Sequence, residues 1–369
     1  MIKRIIISGG GTGGHIYPAV AIANALKEVN PDIEILFVGA LGKMEMEKVP
    51  KAGYHIIGLP IAGIKRELTL DNLAFPFKLI KSLLKAKSVI KDFAPDAAVG
   101  VGGYASGPLL MIASFLGIPT LIQEQNSYAG ITNKLLSKWA KKICVAYPGM
   151  EVFFPHEKIK LLGNPVRSDI LEVESKRDKA LLHFGFKSTG KTLFVMGGSL
   201  GARSVNESVL KGLKRLAEGG YQVLWQTGKG FIDTASAAIK SLNTDQIKAY
   251  EFIYEMDLAY AVADVVISRA GALSVSELCL AAKPAILVPF PAASEDHQTK
   301  NAMSLVSQNA AIMIKDSSAA EELISTALDL LNNPERQQEL IENIRPLARP
   351  TAAADIAREV LSLSDSPIV

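Results

Sequence analysis

Cysteine and tryptophan are scarce in this chain, two of each among 369 residues. Cys144 and Cys279 both sit inside apolar stretches, KKICVAY and SELCLAAK, that read as a strand and a buried helix. That setting points to reduced core residues rather than a disulfide framework, a thiolate metal site or redox chemistry. Long apolar runs are missing as well, and none approaches the roughly 20 residues of a membrane-spanning helix. The opening MIKRIIISGG passes straight into a strand, with no h-region or small-residue cleavage site of a signal peptide, so the expected location is the cytoplasm. An excess of charge of one sign is also absent. Forty basic against 37 acidic residues leave a net charge of +3, which gives no electrostatic footprint for nucleic acid.

Glycine is plentiful, and its placement is informative. Ile5 to Ser8 reads as a buried strand, GGGTGGH (Gly9 to His15) follows without a gap, and an apolar-periodic helix begins near Ile16. The same plan recurs halfway along: Thr192 to Met196 as strand, GGSLGA (Gly197 to Ala202) as turn, then a helix carrying Val205, Val209 and Leu213. Glycines at a strand-to-helix turn let the backbone approach a phosphate, and the helix N-terminus adds N–H groups and positive dipole. Two such turns predict two similar domains holding one phosphorylated ligand. The length agrees, since a chain of this size exceeds a single ordinary core. Strand-like runs at Ile33 to Val38, Ala97 to Val101, Pro119 to Gln123 and Lys142 to Ala146 alternate with helix-length segments, the pattern of a doubly wound parallel sheet. Alternation pauses at LLGNPV (Leu161 to Val166), which predicts the interdomain linker, and resumes near Leu193, Gln222 to Gln226, Lys248 to Phe252, Val265 to Ser268 and Ala285 to Val288. The expected division is 1–163, 164–345, and a C-terminal helix in 346–369 that packs back across the junction.

Two motif matches fail on context. Gly9, Gly11 and Gly14 fit the dinucleotide fingerprint GxGxxG, but the second strand ends in Phe37, Val38 and Gly39 without the acidic residue that would hold a ribose. GFKSTGKT (Gly185 to Thr192) matches the P-loop pattern, yet a helix precedes it and a strand follows. A P-loop must run from strand to helix so that the dipole faces the phosphate, so this segment reads as a helix-to-strand turn.

Further polar and glycine-rich segments also fall at strand ends. GVGGYASGP (Gly100 to Pro108) and QEQN (Gln123 to Asn126) face the crevice where open α/β sheets bind ligands, although Asn126 and Ser127 can equally cap the helix from about Gly130. In SRAGALSVSE (Ser268 to Glu277) a strand runs into Arg-Ala-Gly and a helix starts near Ala272. N–H groups at Ala272 and Leu273 would suit a diphosphate, and Glu277 could accept from both ribose hydroxyls, since a buried helix rarely carries a carboxylate without a partner. PFPAASEDHQTKNA (Pro289 to Ala302) offers short polar groups for sugar hydroxyls, with capping by Ser294 as the plainer alternative.

Taken in order and spacing, GGGTGGH, GVGGYASGP, EQN, GNPVR, GGSLGA, the EFI run at Glu251, RAGALSVSE and DHQTKNA resemble the MurG family of UDP-N-acetylglucosamine transferases, glycosyltransferase family 28, over nearly the whole chain. The resemblance implies an α/β GT-B fold, two Rossmann-like domains facing across a cleft. It implies an acceptor- and membrane-binding N-terminal domain and a UDP-GlcNAc-binding C-terminal one. The implied reaction converts lipid I to lipid II in peptidoglycan synthesis, which serves cell-wall growth, shape and division. Carried over by position, Thr12, Gly13, Gly14, Asn126, Arg167, Ser199, Ile253, Ala272, Leu273, Ser274, Val275, Ser276, Glu277 and Gln298 are implied to contact UDP-GlcNAc, with the main chain at Ile253 reading the uracil edge. The family's Gln-Gln pair stands here as His297-Gln298, so only Gln298 carries over. Arg167 offers a bidentate fork for the pyrophosphate. Asp-x-Asp occurs nowhere in the chain, so a metal-bridged diphosphate has no ligands and no metal or other cofactor is expected.

The implied chemistry is attack by the C4 hydroxyl of N-acetylmuramoyl on the anomeric carbon, expelling UDP with inversion. His15, ending the first glycine turn, is the candidate base because imidazole titrates near neutral pH. Glu124 is the rival base, and Tyr104 a candidate acceptor contact. FKLIKSLLKAKSVIK (Phe77 to Lys91) has five lysines and no acid, with Leu79, Leu83, Ala86 and Ile90 on one face and Lys78, Lys81 and Lys85 opposite. That pattern fits a helix packed on the sheet; because lipid I is membrane-bound, the resemblance favours contact with an anionic bilayer at the cytoplasmic face of the inner membrane. Two other classes stay open on the same fold: a UDP-GlcNAc 2-epimerase and a non-catalytic UDP-sugar-binding protein.

Overall fold

The computed structural model describes residues 2–61, 75–198 and 200–365. Two compact units emerge, Met1–Arg167 with Thr351–Val369, and Ser168–Pro350. Both divisions fall a few residues beyond the positions read from the motifs: Asn164 is hydrogen-bonded to Gln123 and Gln125 and stays with the first unit, while the turn Arg345–Leu347 still packs beside a helix of the second.

The first unit runs β1 (Arg4–Ser8), α1 (Gly13–Val29), β2 (Glu34–Ala40), α2 (Glu45–Lys51), β3 (His55–Leu59), α3 (Phe75–Phe93), β4 (Ala97–Gly100), α4 (Ser106–Phe115), β5 (Thr120–Glu124), α5 (Ile131–Leu136), β6 (Lys142–Val145) and β7 (Ile159–Leu161). Its strands form one sheet in the order β3-β2-β1-β4-β5-β6-β7, with every described pair parallel. Ile5, Ile6 and Ile7 of the central strand are fully buried, as expected where helices cover both faces of a parallel sheet.

The second unit runs α6 (Arg177–Phe184), β8 (Thr192–Met196), α7 (Arg203–Glu218), β9 (Gln222–Gln226), α8 (Ile232–Leu242), β10 (Ile247–Tyr250), α9 (Met256–Val262), β11 (Val265–Ser268), α10 (Ala272–Ala281), β12 (Ala285–Leu287), α11 (His297–Val306), β13 (Ile312–Met313), α12 (Ala319–Leu331) and α13 (Pro334–Ile344). Its six-stranded sheet, in the order β10-β9-β8-β11-β12-β13, repeats the order of the first unit up to β6. In each sheet the chain therefore reverses its direction of winding beside the central strand, at β1/β4 and at β8/β11. Ligands of open α/β sheets lie at that point. Both glycine turns follow those central strands, so the repeat seen in the sequence is a repeat of ligand-site geometry. Gly185 ends α6 in a left-handed conformation (φ 66°) before β8, the helix-to-strand turn read for GFKSTGKT.

The last helix, α14 (Ala352–Leu361), belongs to the first unit. Ile356, Ala357 and Val360 join Ile16, Ala19, Ile22 and Ala23 of α1 in one core, and Lys142 pairs with Glu359 at 2.6 Å. Burying side chains of that size contributes roughly 1.5–3 kcal/mol each for the larger ones. Two strands escaped the sequence reading, β3 and β13, both at sheet edges.

Candidate active site

In the first unit, three loops at the carboxyl ends of β1, β4 and β5 gather. Gly10 N donates to Gly102 O at 3.3 Å, and a Cβ on Gly103 would lie 2.4 Å from Gly10 O, so the first two loops touch backbone to backbone. Ser106 Oγ, at the start of α4, ties them from below by donating to Ser8 O and Gly102 O at 3.0 and 2.8 Å. Thr12 is the N-cap of α1 and its carbonyl accepts from His15 and Ile16 N–H. Gly13 and Gly14 form the first turn of that helix, at the surface.

His15 turns back over the loop. Its Nδ1 lies 3.0 Å from the Gly10 carbonyl oxygen and 3.4 Å from Thr12 Oγ1. A carbonyl only accepts, so Nδ1 carries the hydrogen, and when the ring is neutral its lone pair lies on Nε2. Gly102 closes on that edge of the ring: a Cβ there would stand 2.7 Å from His15 Cδ2 and 2.8 Å from Nε2. Tyr104 is exposed in the same loop.

Glu124 is differently placed. Only 2% exposed, it uses both carboxylate oxygens on its own neighbourhood. Oε1 accepts from Asn126 N and Nδ2 at 3.1 and 3.3 Å, and Oε2 from Gly130 N and Asn133 Nδ2 at 3.0 and 2.9 Å. It shapes the loop that carries Asn126. A buried amide cluster extends this order, with Gln123 Nε2 donating to Asn164 Oδ1 and Asn164 Nδ2 to Gln125 O, both at 3.0 Å. Asn164 thereby anchors the GNPVR turn that ends in the exposed Arg167.

In the second unit, Ser199 lies outside the described residues. The rest of its turn is held against the loop after β9: a Cβ on Gly201 would meet Thr227 O at 2.1 Å, and Asn206 Nδ2 donates to that carbonyl at 2.7 Å. Gln226 bridges two further segments, Oε1 accepting from Ile253 N at 2.9 Å and Nε2 donating to Gly198 O at 3.2 Å. The Ile253 N–H is thus engaged, and reading a uracil edge with it requires Gln226 to let go. Arg269 fastens the ends of β11, β12 and β13 by donating to Val288 O, Pro289 O and Asp316. That fixes the start of α10, where Ala272 and Val275 are buried, Leu273 and Ser274 partly exposed, and Ser276 Oγ turns back onto Ala272 O. Glu277 has a protein partner, the buried Tyr260, whose hydroxyl donates to Oε2 at 3.0 Å. Gln298 accepts from Phe290 N at 3.0 Å, and Glu295 and Asp296 just before it take left-handed backbone angles (φ 54° and 53°). Such strain in residues with side chains gathers at ligand loops.

The described residues contain no group of three or more His, Cys, Asp or Glu able to hold a metal ion. Both thiols are buried; burial pushes Cys144 well up and Cys279 to about 12, so neither is a nucleophile.

The glycosyltransferase family 28 N-terminal domain matches residues 5–145 and the corresponding C-terminal domain residues 192–359. The chain belongs to glycosyltransferase family 28. Among family 28 relatives, a UDP-N-acetylglucosamine--N-acetylmuramyl-(pentapeptide) pyrophosphoryl-undecaprenol N-acetylglucosamine transferase of Cytophaga hutchinsonii is 57% identical over 98% of this chain and 96% of its own length. The crystal structure of Acinetobacter baumannii MurG superposes with a TM-score of 0.80 at 31% identity, covering 98% of this chain and 99% of that one. The two parallel-sheet units are those of the GT-B class. A UDP-GlcNAc 2-epimerase from Neisseria meningitidis, in a structure bound to UDP-GlcNAc, reaches a TM-score of 0.68 at 14% identity over 98% of this chain and 100% of that one; this likeness is one of fold alone.

Glu45, Ser106, Gln226 and Tyr260 escaped the sequence reading of this family 28 site. Glu45 looks like any acid in a helical first turn, and Tyr260 and Gln226 like core residues. The contacts Glu45–Gly11, Gln226–Ile253 and Tyr260–Glu277 join residues 34, 27 and 17 apart, and Ser106–Ser8 joins residues 98 apart, outside any local pattern.

Proposed function

We infer that this chain transfers N-acetylglucosamine from UDP-GlcNAc to lipid I, giving lipid II, as the names of its family 28 relatives describe. The acceptor C4 oxygen attacks the anomeric carbon and its proton passes to His15 Nε2. The C1–O bond to the diphosphate breaks, its electron pair leaves with UDP, and the configuration at C1 inverts. One observation carries the assignment of the base: the Nδ1 contact with Gly10 O, which leaves the lone pair on Nε2. Glu124 is less suited, since proton transfer there would disrupt four hydrogen bonds that order its own loop. On the donor side, Arg167 and the start of α10 stabilise the leaving diphosphate, Glu277 takes the ribose, and Gln298 the sugar. Thr12, Gly13, Gly14, Asn126 and Ser199 complete the donor contacts, and Tyr104 meets the acceptor.

Membrane contact rests on α3. Its inner face is Ser82, Ala86, Val89 and Ile90. The outer side carries Phe77, Ile80 and Leu84, at 71, 55 and 65% exposure, beside the lysines Lys78, Lys81 and Lys85 of the helical wheel. Apolar side chains flanked by lysines fit the anionic cytoplasmic face of the inner membrane. No helix among the described residues is long and apolar enough to cross a bilayer.

The test is His15→Ala beside Glu124→Gln. Loss of about 10²–10⁴ in kcat for His15→Ala, with UDP affinity unchanged, is expected for a general base; turnover retained in His15→Ala moves the base to Glu124.

A further inference from the structure

Glu45 is a buried carboxylate, 1% exposed, with no cationic partner among the described residues. It is the first residue of α2, and its two oxygens reach backward. Oε1 accepts from Ala40 N at 3.0 Å, at the end of β2, and Oε2 accepts from Gly11 N at 2.8 Å, inside the first glycine turn. The turn is built around this side chain: a Cβ on Gly10 would stand 2.3 Å from Oε1, and one on Gly39 2.5 Å from Cγ.

Gly11 N–H and Gly10 C=O are the two ends of one peptide group. In a trans peptide they point in opposite directions, so holding the N–H fixes where the carbonyl aims. Here the N–H aims at Glu45 and the carbonyl at His15 Nδ1, 3.0 Å away. We propose that Glu45 is a positioning residue that selects the His15 tautomer through the Gly10–Gly11 peptide, a relay from carboxylate to peptide to imidazole. The inference rests on the reading of His15 as base.

The relay needs an acceptor because the peptide lies between two glycines, with Gly11 at φ 85°, where reversing the plane costs little. Reversed, the peptide would present N–H to Nδ1. That hydrogen bond demands a lone pair on Nδ1, moves the ring hydrogen to Nε2, and removes the base. A carboxylate opposes the reversal since it only accepts, and its charge polarises the peptide so that the carbonyl binds the imidazole more strongly. Glutamine cannot do the same. Two N–H donors face its two ends, so one of them would confront the side-chain NH2, which is relieved when the peptide reverses.

The experiment compares wild type, Glu45→Gln and His15→Ala in steady-state transfer, with ring ¹⁵N spectra of His15 reporting the tautomer. For Glu45→Gln, kcat is expected to fall by ~10²-fold, the scale for displaced catalytic geometry, while the UDP-GlcNAc KM stays within about twofold. The His15 ring should acquire a population protonated at Nε2, a change that general loosening of the fold would not produce. If Glu45→Gln does not fold, Gly39→Ala displaces the same carboxylate and is read in the same two ways. A wild-type tautomer and kcat in the folded variant, with His15→Ala inactive, overturns the relay and leaves the base reading intact. Full turnover in His15→Ala overturns the base reading itself and the relay with it.

Discussion

Replacing Gly102 by alanine tests the active-site geometry with a single methyl group. Its Cβ would stand 2.7 Å from His15 Cδ2 and 2.8 Å from Nε2, where ordinary contact begins near 3.4 Å. The ring must therefore retreat by somewhat under 1 Å, and the Nδ1 contact with Gly10 O stretches or bends with it. Gly102 also sits at φ 99°, a conformation that costs an alanine about 1–2 kcal/mol. Stability should fall by that amount, short of unfolding a protein of ordinary stability. Catalysis should fall further, because displacements of this size cost about 10²-fold. The assay is single-turnover transfer of labelled N-acetylglucosamine to a short-chain lipid I analogue, with UDP binding measured in parallel by calorimetry. Since Gly102 lies in the first unit, UDP affinity contributed by the second should hold. A folded Gly102→Ala protein that turns over within twofold of wild type would refute the placement of His15 at the reacting atoms.

Tyr260→Phe removes the hydroxyl that orients Glu277, and a hydrogen bond to a charged group is worth about 1.5–3 kcal/mol. The UDP-GlcNAc KM should rise about 10-fold with kcat little changed, and an unchanged KM would detach Glu277 from the donor. Lys283, donating to Ala263 O at 2.9 Å, is lowered from 10.5 to about 8, by burial first and Arg177 second. Its folded pKa lies below the unfolded one, so the penalty is complete below pH 8 and is relieved as pH rises from about 8 to 10.5. Lys283→Met should accordingly raise the unfolding free energy from urea titration at pH 7 by about 1–2 kcal/mol after the lost hydrogen bond, with the gap to wild type closing by pH 10; a gap independent of pH would contradict the cause. Phe77→Ser with Leu84→Ser should weaken sedimentation with anionic vesicles at least 10-fold and leave turnover of a water-soluble acceptor analogue intact. Equal vesicle binding would remove α3 from the membrane surface.

The architecture was largely legible because glycine advertises backbone geometry. Gly11, Gly102, Gly103, Gly198 and Gly201 all adopt positive φ, and the strands before them are apolar runs that only a parallel sheet accommodates. The fine structure of the site was not legible, since it is made by contacts between distant segments. Nothing distinguishes Glu45 from Glu47 in KMEMEKVP, yet one is buried against Gly11 and the other makes an exposed pair with Lys51. The helical wheel for α3 left Phe77, Ile80 and Leu84 unassigned, because a wheel cannot tell which apolar residues a neighbouring helix will cover. Glu277 was picked out as a carboxylate on a buried helix, and the tyrosine hydroxyl that donates to it is one no periodicity could reveal.

Incubating the purified chain with radiolabelled UDP-GlcNAc and a short-chain lipid I analogue, with and without EDTA, tests the central claim most directly. Label is expected to move into the lipid fraction through a new β-1,4 linkage, at a rate EDTA does not change. Binding of UDP-GlcNAc with no label in lipid, or release of an epimerised sugar without acceptor, would contradict it.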